Sequence, residues 1–302
     1  MKRIIVPVDF SEVSEYAAQF AVALAKRQNA SVLLINSVRE SQLAPAILET
    51  EALTNELAAY ASDQIKRMQK EVQEAGVEVK TKVSRLDLME ALETEIEQGA
   101  DLCVMGTTGS FGWDEVLIGS NTEKVVRKLQ CPVIAVPLSI YDDEIKKILV
   151  PVDLMELRSS FLMEVKALQQ FFEAELSFLW VKTPHNIENE ELVKEQFQEV
   201  MGEFDMTHYT FNILHDILPS DGILYQLSTS AADMVAMATH ARRGIAHWFA
   251  GSLTEDTVNH VDVPVWTYKI DAKEPVIRLK EIERVRKLIQ AARKAESLSF
   301  SL

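Results

Sequence analysis

Cysteine is almost missing from this chain. Cys103 and Cys131 are the two in 302 residues, too few for a disulfide framework and in keeping with a reducing compartment. No Cys-x-x-Cys occurs, so both are expected to be inert core thiols rather than a redox pair. Long apolar runs are missing too. No stretch approaches the roughly 18 residues that a membrane span requires. The opening segment, Arg3-Ile4-Ile5-Val6-Pro7-Val8, reads as a strand and not as a signal peptide. A cytoplasmic location is the expectation. Positive charge is in deficit, with Lys plus Arg 31 against Asp plus Glu 46 and a net charge of -15. A field of that sign repels phosphate backbones and anionic lipid heads. Neither nucleic acid nor a membrane is expected as a partner. A small anionic ligand stays open, because a few backbone N–H groups aimed at close range outweigh diffuse charge.

What the chain does have is a repeat. Arg3 to Asp9 read RIIVPVD, and Lys147 to Asp153 read KILVPVD, a register of 144 residues. Asp101–Met105 answers Asp233–Met237, Gly119-Ser120 answers Gly251-Ser252, and Cys131-Pro132-Val133 answers Val263-Pro264-Val265. These later pairs share an offset of 132, so the second copy has lost about a dozen residues in its first half. Four matches in one order establish a duplication. The domain reading is 1–138, 146–270 and a tail over 271–302.

Within the first copy, strand patterns over 3–8, 31–38, 77–83, 101–106 and 132–136 alternate with helical patterns near 12–28, 50–75, 86–98 and 115–130. Ser11, with Ser14 and Glu15 behind it, predicts a capping box, and Gly76 predicts the end of the second helix. Strands 31–38 and 101–106 are apolar on both faces, which suits a parallel sheet covered on both sides. The fold class is therefore α/β: two tandem, doubly wound, five-stranded parallel-sheet domains, followed by a C-terminal amphipathic helix. That last helix sets Ile277, Leu279, Ile282, Val285, Leu288, Ile289 and Ala292 among basic residues. It is expected to dock on the acidic body or on a second subunit.

One loop points to chemistry. Gly106-Thr107-Thr108-Gly109-Ser110-Phe111-Gly112 follows the fourth strand, and Gly119-Ser120-Asn121 comes nine residues after Gly109. The spacing is G-x2-G-x9-G-S. Gly106 allows a sharp turn, Gly109 lets backbone donors approach an anion, and Gly119-Ser120 opens a helix whose free N–H groups face the same space. Neither the Walker pattern nor the Rossmann glycines occur. In the second copy the loop is Ala238-Thr239-His240-Ala241-Arg242-Arg243-Gly244, so two of the glycines are alanines. A methyl at a position needing positive φ would strain the backbone and block close approach of an anion.

VPVDFSEVS at 6–14, MGTTG at 105–109, GSNTEKVV at 119–126 and CPVIAVP at 131–137 resemble the universal stress protein family over both copies, roughly residues 1–270. The resemblance implies the adenine nucleotide α-hydrolase-like fold and bound ATP, AMP or ADP in the first domain, where magnesium could accompany the phosphates. It implies a contact set of Pro7, Val8, Asp9, Val38, Met105, Gly106, Thr107, Gly109, Ser110, Gly119, Ser120 and Asn121. Asp9 and Val38 lie by the adenosine; Gly109, Gly119, Ser120 and Asn121 lie around the phosphates and ribose. It also implies pairing of the last strands, 132–136 with 263–267, and a homodimer of such pseudo-dimers. The function so implied is regulatory nucleotide binding in a stress response, with slow ATP hydrolysis or a ligand-free dimeric scaffold as the alternatives. No catalytic residue and no metal ligand are assigned. The six histidines show no HxH or HExxH spacing, Asp114 is a loop acid, and Phe111 and Trp113 are as suited to packing as to covering a nucleotide.

Overall fold

The computed structural model describes residues 2–38, 51–74, 76–107, 120–138, 145–239 and 263–280, together with 283, 284 and 287. The elements run β1 (Arg3–Pro7), α1 (Glu12–Gln28), β2 (Ser31–Ser37), α2 (Glu51–Val72), β3 (Glu78–Ser84), α3 (Leu88–Glu97), β4 (Leu102–Gly106), α4 (Ser120–Lys128) and β5 (Val133–Val136). They continue as β6 (Lys147–Pro151), α5 (Ser159–Phe172), β7 (Glu175–Lys182), α6 (Glu190–Glu203), β8 (Tyr209–His215), α7 (Pro219–Thr229), β9 (Met234–Thr239) and β10 (Val265–Lys269). The chain divides into two compact units. Unit 1 is Met1–Glu144 with Thr239–Lys269, and unit 2 is Ile145–Ala238 with Ile270–Leu302.

In unit 1 the strands lie in the order β3-β2-β1-β4-β5, all parallel, and β10 joins β5 antiparallel with Trp266 opposite Ile134. The last strand of the second copy therefore sits on the last strand of the first. The central strands are buried along their length, through Ile4, Ile5, Leu34, Ile35, Leu102, Cys103 and Val104, as strands covered on both faces must be. Helix α1 lies close on them because its inner face is built from Ala17, Ala18, Ala21 and Ala25. In unit 2 the order is β9-β6-β7-β8, again parallel. Its core centres on Phe178, edge-on to Phe197 at 5.3 Å, with Phe197 stacked on Phe211 at 4.0 Å.

The duplication is visible in hydrogen bonds as well as in letters. The Asp101 carboxylate accepts from the N–H groups of Lys2 and Arg3, and Asp233 accepts from those of Lys146 and Lys147. Val8 N–H donates to Ile35 O as Val152 N–H donates to Leu179 O. Asn29 ends α1 in the left-handed region at φ 51°, and Glu173 ends α5 there at φ 51°. Both offsets found in the sequence, 144 and 132, reappear in these pairs.

Three local expectations are corrected. Ser11 caps α1 by accepting from Ser14 N–H at 3.3 Å, but no capping box forms there, because the third helical residue is Ser14 and not Glu or Gln. Ser14 instead turns its hydroxyl back to Ser11 O at 2.9 Å. The reciprocal box occurs at α3, between Asp87 and Glu90. Helix α2 ends at Val72, before Gly76 with its φ of +89°. Of the tail, residues 271–279, with Ile277 and Leu279, are not helical; Lys280, Glu283, Arg284 and Lys287 are, and 281–282, 285–286 and 288–302 lie outside the described residues. No helix among the described residues is long and apolar enough to cross a membrane.

Candidate functional site

From β1 the chain of unit 1 crosses to β2 on one side, and it later returns to β4 on the other. The strand order reverses between β1 and β4, and in open α/β sheets ligands bind at the carboxyl ends around such a point. Three of the sequence candidates converge on it: Asp9 follows β1, Val38 follows β2, and Gly106 ends β4.

The β1 end is held open by its own hydrogen bonds. Phe10 takes φ 67°, an uncommon left-handed conformation for an aromatic residue. Asp9 lies just before it, exposed, and accepts from Ser11 N–H at 3.0 Å and from the Ser11 hydroxyl at 2.5 Å. Partial burial works against the charge of the Asp9 carboxyl. The hydrogen bonds from Ser11 and Ser14 outweigh it and hold the group below its ordinary value. Asp9 is thus a fixed, ionised acceptor at the mouth of the crevice. Buried Asn36 sets the neighbouring strand by donating to Val8 O at 2.7 Å, and Val38 N–H is held by Ser84 O at 2.9 Å. Sequence reasoning passed over Asn36, though a lone amide in the apolar run VLLIN was its signal.

At the β4 end, Gly106 is required for a reason other than a turn. A Cβ there would stand 2.3 Å from Val13 Cγ1 and 2.5 Å from Val13 O. The first turn of α1 therefore packs directly on the glycine backbone. From the other side, the buried Thr122 hydroxyl donates to Gly106 O at 3.1 Å and docks the first turn of α4 against the end of β4. Ser120 and Asn121 are the first two residues of that helix, so its first N–H groups, which have no acceptor within the helix, lie by the end of β4. Thr122 was also missed; it stands two residues after the Ser120 that the motif singled out. Thr107 closes the strand by donating its N–H to Val136 O at 2.9 Å. Pro7, Val8 and Met105 are buried and shape the floor. Gly109, Ser110 and Gly119 lie outside the described residues, as do Phe111, Trp113 and Asp114.

Unit 2 repeats the frame with different fittings. Asp153 follows β6 and accepts from Met155 N–H at 2.9 Å, the same turn that Asp9 makes. Helix α5, however, begins at Ser159, six residues past Asp153, whereas α1 begins three past Asp9. Among the histidines, His215 pairs with Glu190 at 2.9 Å, while His240, His247 and His260 lie outside the described residues. Among the described residues no three His, Cys, Asp or Glu side chains cluster as metal ligands would.

The family model described as "Universal stress protein family" matches residues 1–137 and 213–269. The chain belongs to that family. Universal stress protein MJ0531 of Methanocaldococcus jannaschii is 35% identical over 138 residues, which are 45% of this chain and 81% of that protein. Universal stress protein YxiE of Bacillus subtilis is 28% identical over 149 residues, covering 44% of this chain and 97% of its own. The crystal structure of a universal stress protein from Archaeoglobus fulgidus covers 90% of this chain and 97% of its own, with a TM-score of 0.67 and 17% identity. At that identity the likeness is one of fold, and it runs through both copies.

Proposed function

We propose that the first copy, residues 1–138, binds an adenine nucleotide, and that the ligand acts as a conformational signal in a regulatory, stress-responsive protein. The observation that carries this reading is the docking of α4 onto Gly106 by Thr122 at 3.1 Å. It brings a helix N-terminus, suited to phosphate, to the end of β4, and Asp9, an ionised acceptor suited to an exocyclic amine, follows the neighbouring strand β1. The donor set fits the group. Asp9, Val8 and Val38 would take the adenosine end. The glycine-spaced loop with Ser120 and Asn121 would take the phosphates, with magnesium bound through them rather than by a cluster of protein ligands. The phosphate end supplies charge and reach; the chain's own residues orient it and fix its register. Residues 146–270 form the second copy and act mainly as a pairing partner, and the whole assembles as a cytoplasmic homodimer.

The test is to release ligand from the purified protein by acid, identify it, and titrate ATP into the wild type and the Gly109→Val variant. Binding by the wild type and its loss in the variant is the expected result. If the wild type takes up no adenine nucleotide, the reading fails. Rapid ADP production that Asp9→Ala abolishes would favour hydrolysis over signalling.

A further inference from the structure

The second copy lacks two glycines of the loop, but the structure supplies a different reason for a closed site. After β10 the chain returns to unit 2, and residues 270–279 lie along the connection from β6 to α5. Val276 bridges Arg158 in antiparallel fashion, and Ile277 N–H donates to Leu157 O at 2.9 Å. Ile270 and Leu279, at the two ends of this strap, are buried at 4% and 2% exposure. Between them, the Glu274 carboxylate accepts from Ser160 N–H at 2.8 Å and from the Ser160 hydroxyl. An anion from the chain itself therefore sits on the N-terminus of α5, a helix of 14 residues whose N-cap, Arg158, makes no side-chain cap.

This place is the switch point of unit 2, since β7 lies on one side of β6 and β9 on the other. A further observation points to a charged occupant. Arg158 is 5% exposed, and while its Nη2 reaches Glu156 at 2.8 Å, its Nε and Nη1 have no partner. Buried, unpaired guanidinium donors are uncommon and call for an explanation such as a ligand that completes them. The change from Gly106 to Ala238 does not by itself shut the crevice either. Gly106 is glycine because Val13, in the first turn of α1, presses on it, whereas Leu157, the counterpart of Val13 at the 144-residue offset, precedes α5 rather than lying in it.

We propose that residues 270–279 are a built-in occupant of the second ligand crevice, with Glu274 standing where the anionic part of a phosphate-bearing ligand would bind. Release of the strap exposes the Ser160 N–H and hydroxyl, and it frees the crevice beside Arg158. The second copy is then a latent site, closed by its own chain. This goes beyond the proposed nucleotide site of the first copy and borrows from it only the choice of probe.

The experiment is calorimetric titration of ATP into the full chain, as wild type, Glu274→Ala and Ile277→Pro, the last removing the N–H that binds Leu157. Hydrogen exchange at Ser160 to Leu162 reports strap release in each variant, expected as about tenfold faster exchange, and circular dichroism confirms folding. The expected result is one site in the wild type and a second in both variants, lost again on adding Arg158→Met. No site in the wild type but one in the variants would support the latent site while refuting the reading of the first copy. Released straps with no added site would overturn the proposal, whether the wild type binds one ATP or none. Unchanged exchange in both variants would overturn it too, since Glu274 and Ile277 would then not hold the strap.

Discussion

Val13 and Gly106, 93 positions apart in sequence, touch so closely that a methyl on the glycine would fall 2.5 Å from the Val13 carbonyl oxygen. The neighbour is helix backbone, which cannot swing aside as a long side chain can. Gly106→Ala should therefore shift α1 or β4 and cost about 1–3 kcal/mol, read as a lower urea midpoint. Ala238→Gly relieves no comparable contact and should lose about 0.5–1 kcal/mol through strand entropy alone. Equal losses in the two variants would refute the steric account.

Asp9 gives a pH signature. Its folded-state value lies below the ordinary carboxyl value because Ser11 and Ser14 hydrogen bonds outweigh its burial. The stability it contributes is thus present above about pH 4, the unfolded value, and is lost as pH falls through the folded value. Asp9→Asn should melt lower than the wild type at pH 7, and the gap should close at acid pH. A gap that stays constant across that range would show that charge is not what the turn uses.

Glu95 is almost fully buried, at 1% side-chain exposure, between Arg3 Nη2 at 2.5 Å and Lys82 Nζ at 2.6 Å. It ties α3 to β1 and β3. Removing it leaves two part-exposed cations that water can partly resolvate, so Glu95→Ala should cost about 1–3 kcal/mol. The exposed pair Lys80–Glu78, at 3.0 Å, should contribute less than about 1 kcal/mol when broken. Chemical denaturation of the two variants side by side decides the ranking.

The two thiols should be silent in the native protein. Burial pushes Cys103 well above its ordinary value and lifts Cys131 to about 12, so little thiolate exists at pH 8. Alkylation by iodoacetamide should label neither residue in buffer and both in denaturant. Labelling of either one under native conditions would mean that the β4–β5 core opens more readily than its packing implies.

Much of this was legible in the sequence because it is encoded at short range. Apolar runs such as VLLI and LCVM announce buried parallel strands, and the alternation of strand and helix announces the doubly wound sheet. The repeated PVD at residues 7–9 and 151–153 announces the duplication. Asp9 and Gly106 stand out as candidates because strand ends are where such sheets bind ligands. Local reading failed where a near neighbour of similar type misled it, as when Glu15 suggested a capping box that the spacing from Ser11 does not allow.

By itself, then, the sequence determined the fold class and the family, and it pointed to a duplication and to the strand ends of the first copy, since each reading rests on periodicity or on a contiguous motif. Only the tertiary structure decided why Gly106 must lack a side chain, that Thr122 docks α4, and that Glu274 caps α5 from 114 residues away. Those pairings depend on where separate elements cross in space. No spacing along the chain records a distance between residues that meet only after the sheet has formed.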